Sequence, residues 1–388
     1  MGFAIRAATG SGLGDRIPKV SVRNERGCAS ASCILDDAYQ LLSAGQIKAG
    51  MDLLMCRLSE LRNAPEAEGW ETFCRAEAML HPVGALVWQD PLTAHSFNKP
   101  RGYSGDAQLL DYIYGNSPVP PDTSDLGRAI FQHNINRQAP SSVRSRRDIL
   151  ARAIDETVAQ FPSPRILSVA CGHLREVEGS KEVMEGRVGE FVALDQDPQS
   201  LAEVERAYGS KGVRTVQHSV RAILTEKAIF RDFHLVYAAG LYDYLSERVA
   251  TRLTRLMFDM LAPGGRLLIA NFAPCLADIG YIETYMAWKL IYRESEQMTA
   301  LARDIASSEW KSHRLFWDEH ESIIFLEITK RSARKGSISF APGAKQAAVP
   351  GLKNVTTTPE VGSRPRRERP QSGNGDGNGR ANSTRTDK

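Results

Sequence analysis

The sequence predicts an α/β protein: a doubly wound, mostly parallel sheet of seven strands preceded by a helical domain. Three observations carry that reading. After Pro164, short apolar runs alternate with helical stretches, the pattern of parallel βαβ units. The first of these runs, RILSVA, ends in a tight turn containing Gly172, and the second, FVALD, ends in an acid. The final apolar pair, HRLFWDEHESIIFLEITK, reads as two strands around an Asp-Glu-His turn, so the sheet closes with an antiparallel hairpin.

Size and composition set the bounds. The chain has 388 residues, 42% of them hydrophobic, which is enough for a large core. No uncharged apolar stretch reaches the roughly 18 residues that a membrane-spanning helix needs, so no transmembrane segment is expected. The opening MGFAIRAATGSGLGDRIPKV has no apolar run suited to a secretory signal, and a cytoplasmic location is expected. Six cysteines stand at 28, 33, 56, 74, 171 and 275. None forms a CxxC pair and no histidine cluster accompanies them, so they read as isolated thiols, with no metal site expected. The net charge of +3 hides an asymmetry. From Arg331 onward stand twelve Lys or Arg and four Asp or Glu, a surplus of eight, which leaves about −5 on the rest. Gly, Pro, Asn and Ser dilute those charges, so residues 333–388 read as a disordered basic tail. No specific nucleic-acid partner is expected from it.

Residues 1–30 are rich in Gly, Ser and Arg without a sustained period and read as a disordered N-terminus. From Ala31 to about Leu61, apolar residues recur at helical spacing, through Ile34, Leu35, Ala38, Leu41 and Leu42 and then Leu53, Leu54, Leu58 and Leu61, which predicts two amphipathic helices. A third helical segment covers Glu71 to Leu80. In FNKPRGYSGDAQLLDYIYG a glycine-rich turn leads into a short helix, which Asp106 can cap. NSPVPPD is a linker, and a long helix runs from Ser141 to Gln160. These elements make up a helical lid or substrate domain over 31–140. Over 141–332 the strands RILSVA, FVALD, VRTVQHS, FHLVYAAG and GRLLIANF follow in order. LAEVERAYG and RVATRLTRLMFDMLAPGG are helical, with Pro263-Gly264-Gly265 ending the second and feeding a strand.

The chemistry concentrates at the carboxyl ends of the first two strands. Gly172 removes a Cβ where a ligand must approach closely. Backbone N–H groups opening the next helix can meet a carboxylate. Against a three-glycine pattern, Ala170 and Leu174 stand where two glycines would be expected. Asp195, about 20 residues beyond the turn, can accept both hydroxyl hydrogens of a ribose. Asp197 before Pro198 reads as a helix N-cap. Together the two segments point to a nucleoside-type cofactor. Arg144, Arg146 and Arg147 in SSVRSRRDIL can clamp an acidic substrate or line a solvated helix face. YIETYMAWKLIYRES offers Glu283, Tyr285, Trp288, Tyr292 and Arg293, either as walls of a site or as the packed face of an amphipathic helix.

The order LSVACG, VALD, LVYAAGLYDYL and LAPGGRLLIANF, with the closing hairpin, resembles class I S-adenosylmethionine-dependent methyltransferases over about Arg165 to Lys330. The further segments RGYSGDAQLLDYIYG, SVACGHLREVE, AGLYDYL and NFAP followed by YIETYMAWKLIYR are similar to bacterial 3-hydroxy fatty acid methyl ester synthases. The resemblance implies a Rossmann-like methyltransferase sheet and S-adenosyl-L-methionine as cofactor, held by Tyr103, Asp106, Ala170, Cys171, Gly172, Asp195, Gln196, Ser219 and Ala238. It implies a small-molecule or fatty-acyl acceptor, methylated on a carboxylate or hydroxyl oxygen. The usual first-strand acid is replaced by Ser168, so the ligand ammonium needs another partner, with Glu176 and Asp106 as candidates. A hydroxyl or amine acceptor needs a general base, and Glu283, Tyr285 and His133 are the candidates. His173 is the other histidine singled out. A homodimer is left open. A nicotinamide-dependent oxidoreductase also suits the first two segments, and a non-catalytic nucleoside-binding module of the same fold suits the replaced acid.

Overall fold

Most strands of the main sheet are buried on both faces, with successive side chains turned to opposite sides, and this builds two apolar layers on one sheet. The protein is described here from a computed structural model, which describes residues 21–22, 29–64, 69–225 and 230–332. It opens with a two-residue antiparallel ladder, β1 (Ser21–Val22) with β2 (Ala29–Ser30). The ladder accounts for four positions of the 1–30 stretch. The rest of that stretch, and the 333–388 tail, lie outside the described residues.

The helical segment follows: α1 (Ala31–Ser43), α2 (Ile47–Asn63), α3 (Trp70–Thr72), α4 (Ala78–Leu80), α5 (Val83–Val87), α6 (Pro91–Asn98), α7 (Ala107–Tyr114), α8 (Asp125–Ile135) and α9 (Gln138–Gln160). The two predicted N-terminal helices are α1 and α2. Between α3 and α4 the chain makes one π turn over Phe73–Glu77. Asp90 caps α6 by accepting Leu92 N–H at 2.9 Å, with Pro91 in the first turn. The long helix α9 begins three residues before the predicted Ser141, and Pro140 fits inside its first turn, where no donor is lost.

The sheet carries β3 (Arg165–Val169), β4 (Glu190–Asp195), β5 (Val213–Gln217), β6 (Phe233–Ala238), β7 (Leu261–Phe272), β8 (Trp310–Trp317) and β9 (Ile323–Lys330). Between them lie α10 (Lys181–Met184), α11 (Pro198–Tyr208), α12 (Val220–Thr225), α13 (Glu247–Asp259), α14 (Ile279–Tyr285) and α15 (Ser295–Ala300). The order across the sheet is β5-β4-β3-β6-β7-β9-β8. The first five strands are parallel; β9 runs antiparallel to both β7 and β8. The doubly wound sheet of seven strands with its antiparallel closing hairpin is thus present. The strand order reverses at β3, between β4 and β6, and ligands of such sheets bind outside the carboxyl ends of the strands at that point.

One face of the sheet, with Ile166, Leu235, Tyr237 and Phe325, packs on the helical segment through Leu58, Leu109 and Val143. The other, with Leu167, Val169, Val236 and Ala238, packs under α13 and α15. In α13 the buried Ala250, Leu253, Thr254 and Met257 recur at helical spacing. Among the described residues no helix is long and apolar enough to cross a membrane.

Three local expectations are corrected. Pro263-Gly264-Gly265 does not end α13, which stops at Asp259; it lies inside β7, where the register against β6 shifts between Phe233 and Leu235. No α-helix opens directly after the Gly172 turn; a 3₁₀ turn over Arg175–Gly179 and the four-residue α10 follow instead. The segment YIETYMAWKLIYRES is helical only as far as Tyr285, and from Ala287 (φ 47°) to Glu294 it runs outside any helix, until α15 opens at Ser295.

Candidate active site

A cleft of about 650 Å³ opens at the carboxyl ends of β3, β4 and β6, at the reversal point of the sheet. Its floor is the loop after β3. Ala170, Gly172 and Leu174 all take φ near 55°, a left-handed path that glycine follows without a Cβ penalty and that costs other residues roughly 1–2 kcal/mol each. Two of the three positions are not glycine, yet the backbone keeps the route. Cys171 anchors it by donating its N–H to Leu194 O at 3.0 Å. The Cys171 thiol is pushed well up by burial, which rules it out as a thiolate nucleophile at neutral pH.

Asp195 stands at the end of β4 with 6% of its surface exposed. One carboxylate oxygen accepts Gly172 N–H at 2.8 Å and the other accepts Asp197 N–H at 2.9 Å. These bonds fix the acid beside the glycine loop, where it lines the cleft. Gln196 lines the cleft next to it. Asp197 caps α11 through Gln199 N–H at 3.0 Å. Burial pushes the Asp197 carboxyl up, but Ser200 and Arg101 outweigh it and hold the group below its usual range.

On the β3–β6 side two opposite charges face the cleft. Glu176 is 8% exposed and accepts the Tyr237 hydroxyl at 2.6 Å. Burial raises its carboxyl above the usual range, against the pull of Tyr237 and, from further away, of Arg146. Arg146 is 4% exposed, and its Nη1 donates to Ala239 O at 3.0 Å. Among the described residues no carboxylate lies within 4.0 Å of that guanidinium. A buried charge without a counter-ion at contact distance is costly, so the cleft is prepared for an anionic group there. Of the three arginines in this stretch, Arg144 turns to Ile135 O and Ser141, and Arg147 lies over the Tyr114 ring. Only Arg146 lines the cleft.

The segment 101–105 crosses the mouth of the cleft. Arg101 Nη1 donates to Asp197 at 2.9 Å and to Ser200 at 3.0 Å. It also lies 3.2 Å from His173 Nε2. His173 Nδ1 donates to Asp111 at 2.8 Å, which leaves Nε2 as the acceptor. Burial pushes the Asp111 carboxyl up, but the Arg175 and His173 bonds outweigh it and hold it low. Tyr103 lines the cleft, and burial pushes its hydroxyl well up, so the ring stays neutral.

Other sequence candidates stand elsewhere. Asp106 is fully buried and does not line the cleft: it accepts Leu109 N–H at 2.8 Å as the cap of α7, and both oxygens lie 2.9 Å from His95 Nε2. Ser219 accepts Ala222 N–H at 3.2 Å at the start of α12, while its neighbours His218 and Val220 face the cleft. Ala238 points into the apolar layer under α13, because alternation in β6 turns Tyr237 to the other face; Ala239, Gly240 and Leu241 line the cleft instead. His133 sits on α8, 3.4 Å from Asp52, away from the cleft. Tyr285 is fully buried among Trp88 and Tyr281. Glu283 is held by Arg62 at 2.9 Å and by Trp70 Nε1 at 2.8 Å, on a neighbouring cavity and not on the cleft. These placements remove His133, Tyr285 and Glu283 from the cleft floor. Sequence reasoning did not single out Arg101, Tyr114 or Tyr244, which do line the cleft.

No family model matches the chain, and no curated protein resembles it in sequence. Among solved structures it is similar to a possible exported protein from Bordetella parapertussis, over 70% of this chain and 100% of that one, at 14% identity with a TM-score of 0.50. N-methyltransferase NodS from Bradyrhizobium japonicum WM9, in complex with S-adenosyl-L-homocysteine, is similar over 58% of this chain and 97% of its own, at 12% identity with a TM-score of 0.36. Magnesium protoporphyrin IX methyltransferase from Synechocystis PCC 6803, with bound S-adenosyl-L-homocysteine, is similar over 57% and 92%, at 11% identity with a TM-score of 0.39. At these identities, the likeness to the Bordetella protein is one of fold.

Proposed function

We propose that the chain is an S-adenosylmethionine-dependent methyltransferase acting on a small or lipid-like acceptor, through a carboxylate or hydroxyl oxygen. The observation that carries this is the charge set of the cleft. Asp195 offers a carboxylate to a ribose, Glu176 a buried carboxylate to an ammonium, and Arg146 a buried guanidinium to a carboxylate. A nucleoside joined to an amino acid presents those three groups together. Gly172 lets such a ligand lie close to the backbone. A dinucleotide suits the cleft less, because its pyrophosphate would meet the buried carboxylate of Glu176 at the loop after β3.

The bound cofactor supplies an electrophilic methyl on a positively charged sulfur. Held in the cleft by Asp195, Glu176 and Arg146, it would offer that methyl to an acceptor lone pair and would leave as the neutral thioether. The residues of this chain hold both partners in line and keep water out, which is the larger part of such catalysis. The helical segment 31–140 serves as the lid, with Arg101 as its latch on Asp197. Cation–π attraction from Tyr103 and Tyr244 favours the sulfonium by roughly 0.5–2 kcal/mol. A carboxylate acceptor is ionised at neutral pH and needs no base. For a hydroxyl acceptor, His173, with Nδ1 tied to Asp111, is a candidate base in the cleft once Arg101 turns away from its Nε2. The resemblance of the RGYSGD, ACGHLRE and GLYDYL segments to fatty acid methyl ester synthases supports a fatty-acyl carboxylate as acceptor. The expected compartment is the cytoplasm.

The test is mass spectrometry of host-cell extracts incubated with the full chain and S-adenosylmethionine carrying a heavy methyl group. A new product heavier by the labelled methyl, absent with Asp195→Ala, is expected. Labelled product in neither sample, with the protein folded, would overturn the proposal.

A further inference from the structure

A second cavity, of about 460 Å³, adjoins the cleft behind the 101–105 strap. The two share Gly102, Tyr103 and Tyr244 as a common wall. From this juxtaposition we infer that the second cavity is the acceptor site, and that it takes a small anion with an apolar body, its charged end held at the basic rim; of the two acceptor oxygens proposed above, this placement favours a hydroxyl, carried on the part of the ligand that reaches the shared wall. The inference rests on the methyltransferase reading for the word acceptor, and on the cavity's own chemistry for the ligand class.

The wall between the cavities is built for contact. Gly105 lies so close to Trp288 that a Cβ there would come within 2.3 Å of the indole and 2.5 Å of the Tyr244 hydroxyl. Only glycine lets the strap lie flat against that ring. Trp288 Nε1 donates to Tyr244 Oη at 2.7 Å. That bond uses a lone pair of the hydroxyl and leaves its hydrogen, with no acceptor among the described residues, to be offered to a ligand at the junction. Burial holds the hydroxyl pKa well up, so the hydrogen is retained at neutral pH. Ser104 ties the strap to Ala287 O at 2.9 Å, so the wall is fixed on its far side too.

The interior is apolar, with Phe97, Met79 and the Trp288 ring, and the rim is basic. Arg75, Lys99 and Lys289 stand against Glu71 and Glu283. Glu283 is already neutralised by Arg62 from outside the cavity. Glu71 is shared between Arg75, at 4.0 Å, and Lys289. Lys99 has no carboxylate within 4.0 Å among the described residues. The excess is therefore positive, and a site of several hundred Å³ with apolar walls and a few polar groups is of small-molecule size.

The experiment titrates the full chain, saturated with S-adenosylhomocysteine to fill the cleft, with 2-naphthoate and with its neutral counterpart 2-naphthamide, by calorimetry. Binding of 2-naphthoate at least tenfold tighter at low salt is expected, with the gap narrowing as sodium chloride rises and closing in Arg75→Glu/Lys99→Glu. Arg75 is exposed and Lys99 half-buried, and the salt series on the unaltered chain gives a reading independent of that variant. Equal binding of the two probes, no binding of either, or 2-naphthoate displaced by S-adenosylhomocysteine would overturn the inference. S-adenosylhomocysteine binding, measured first, reports separately on the methyltransferase reading: if it fails while the charge preference holds, the cavity stands as an anion site and the donor assignment falls.

Discussion

Replacing Arg146 with Met should move ligand-free stability and cofactor affinity in opposite directions. The guanidinium is 4% exposed, hydrogen-bonded to Ala239 O and to the Tyr114 hydroxyl, with no carboxylate at contact distance among the described residues. Glu176 and Asp243 feel this charge only from beyond contact distance, so replacing it by an apolar side chain of similar length removes more desolvation cost than attraction and is neutral or stabilising, by at most about 1–4 kcal/mol. If the guanidinium pairs with the carboxylate of bound S-adenosylmethionine, the same change removes a charged hydrogen bond worth roughly 1.5–3 kcal/mol, which weakens binding about 10- to 150-fold. Urea denaturation of the ligand-free chain gives the first quantity and calorimetric titration the second. The account expects unchanged or raised stability together with a Kd raised at least tenfold. A variant less stable by about 2 kcal/mol or more with an unchanged Kd would show that Arg146 is a structural tie to the β6 loop and would refute the reasoning.

Asp195→Ala should weaken S-adenosylmethionine by about 1.5–3 kcal/mol. It should also loosen the loop by freeing Gly172 N–H and Asp197 N–H. Asp195→Asn should restore more of the stability than of the affinity, and equal recovery of both by denaturation and titration would count against a ribose contact. Asp106→Asn should cost about 0.5–2 kcal/mol of stability through the α7 cap and the His95 contact while leaving cofactor affinity within about twofold; a large affinity loss per folded molecule would return Asp106 to the site. Asp243, 2% exposed, has its carboxyl pushed up to about 6 by burial, against Phe272 N–H and two arginines. A folded pKa raised above the unfolded value gives stability that is full below about 4 and lost as pH rises through about 6. Relative to the unaltered chain, Asp243→Asn should therefore gain about 1 kcal/mol between pH 5 and 7 in urea melts, and a pH-independent difference would argue that Asp243 does not titrate there.

The sheet was legible because its signals are local. The continuous apolar runs of RILSV and EFVALD, buried on both faces, the acid closing FVALD and the hairpin at the end all lie within a few residues. Asp195 and Gly172 were found for that reason. Sites assembled across distant segments were less legible. Arg101 reaches Asp197 and Ser200 from the strap, and Tyr244 meets Trp288 across 44 residues, contacts that no local period announces. Arg146 did carry a signal: it stands three residues after Val143 and four before Leu150, on the buried stripe of α9, where a charge has no place unless something is to meet it. Asp106 caps α7 as its position before the helix predicts, while His95, eleven residues upstream, contacts both of its oxygens, a partner that no local pattern announces. Glu283, Tyr285 and His133 are ordinary polar types for catalysis, but Arg62 with Trp70, the Trp88–Tyr281 cluster, and Asp52 surround them.

The measurement that bears most directly on the central claim is calorimetric titration of the full chain with S-adenosylmethionine, S-adenosylhomocysteine and NADH in parallel. The account predicts saturable one-to-one binding of the first two, weakened in Arg146→Met and Asp195→Ala, and no binding of NADH at the same concentrations. Saturable NADH binding with neither sulfur ligand detected would contradict it.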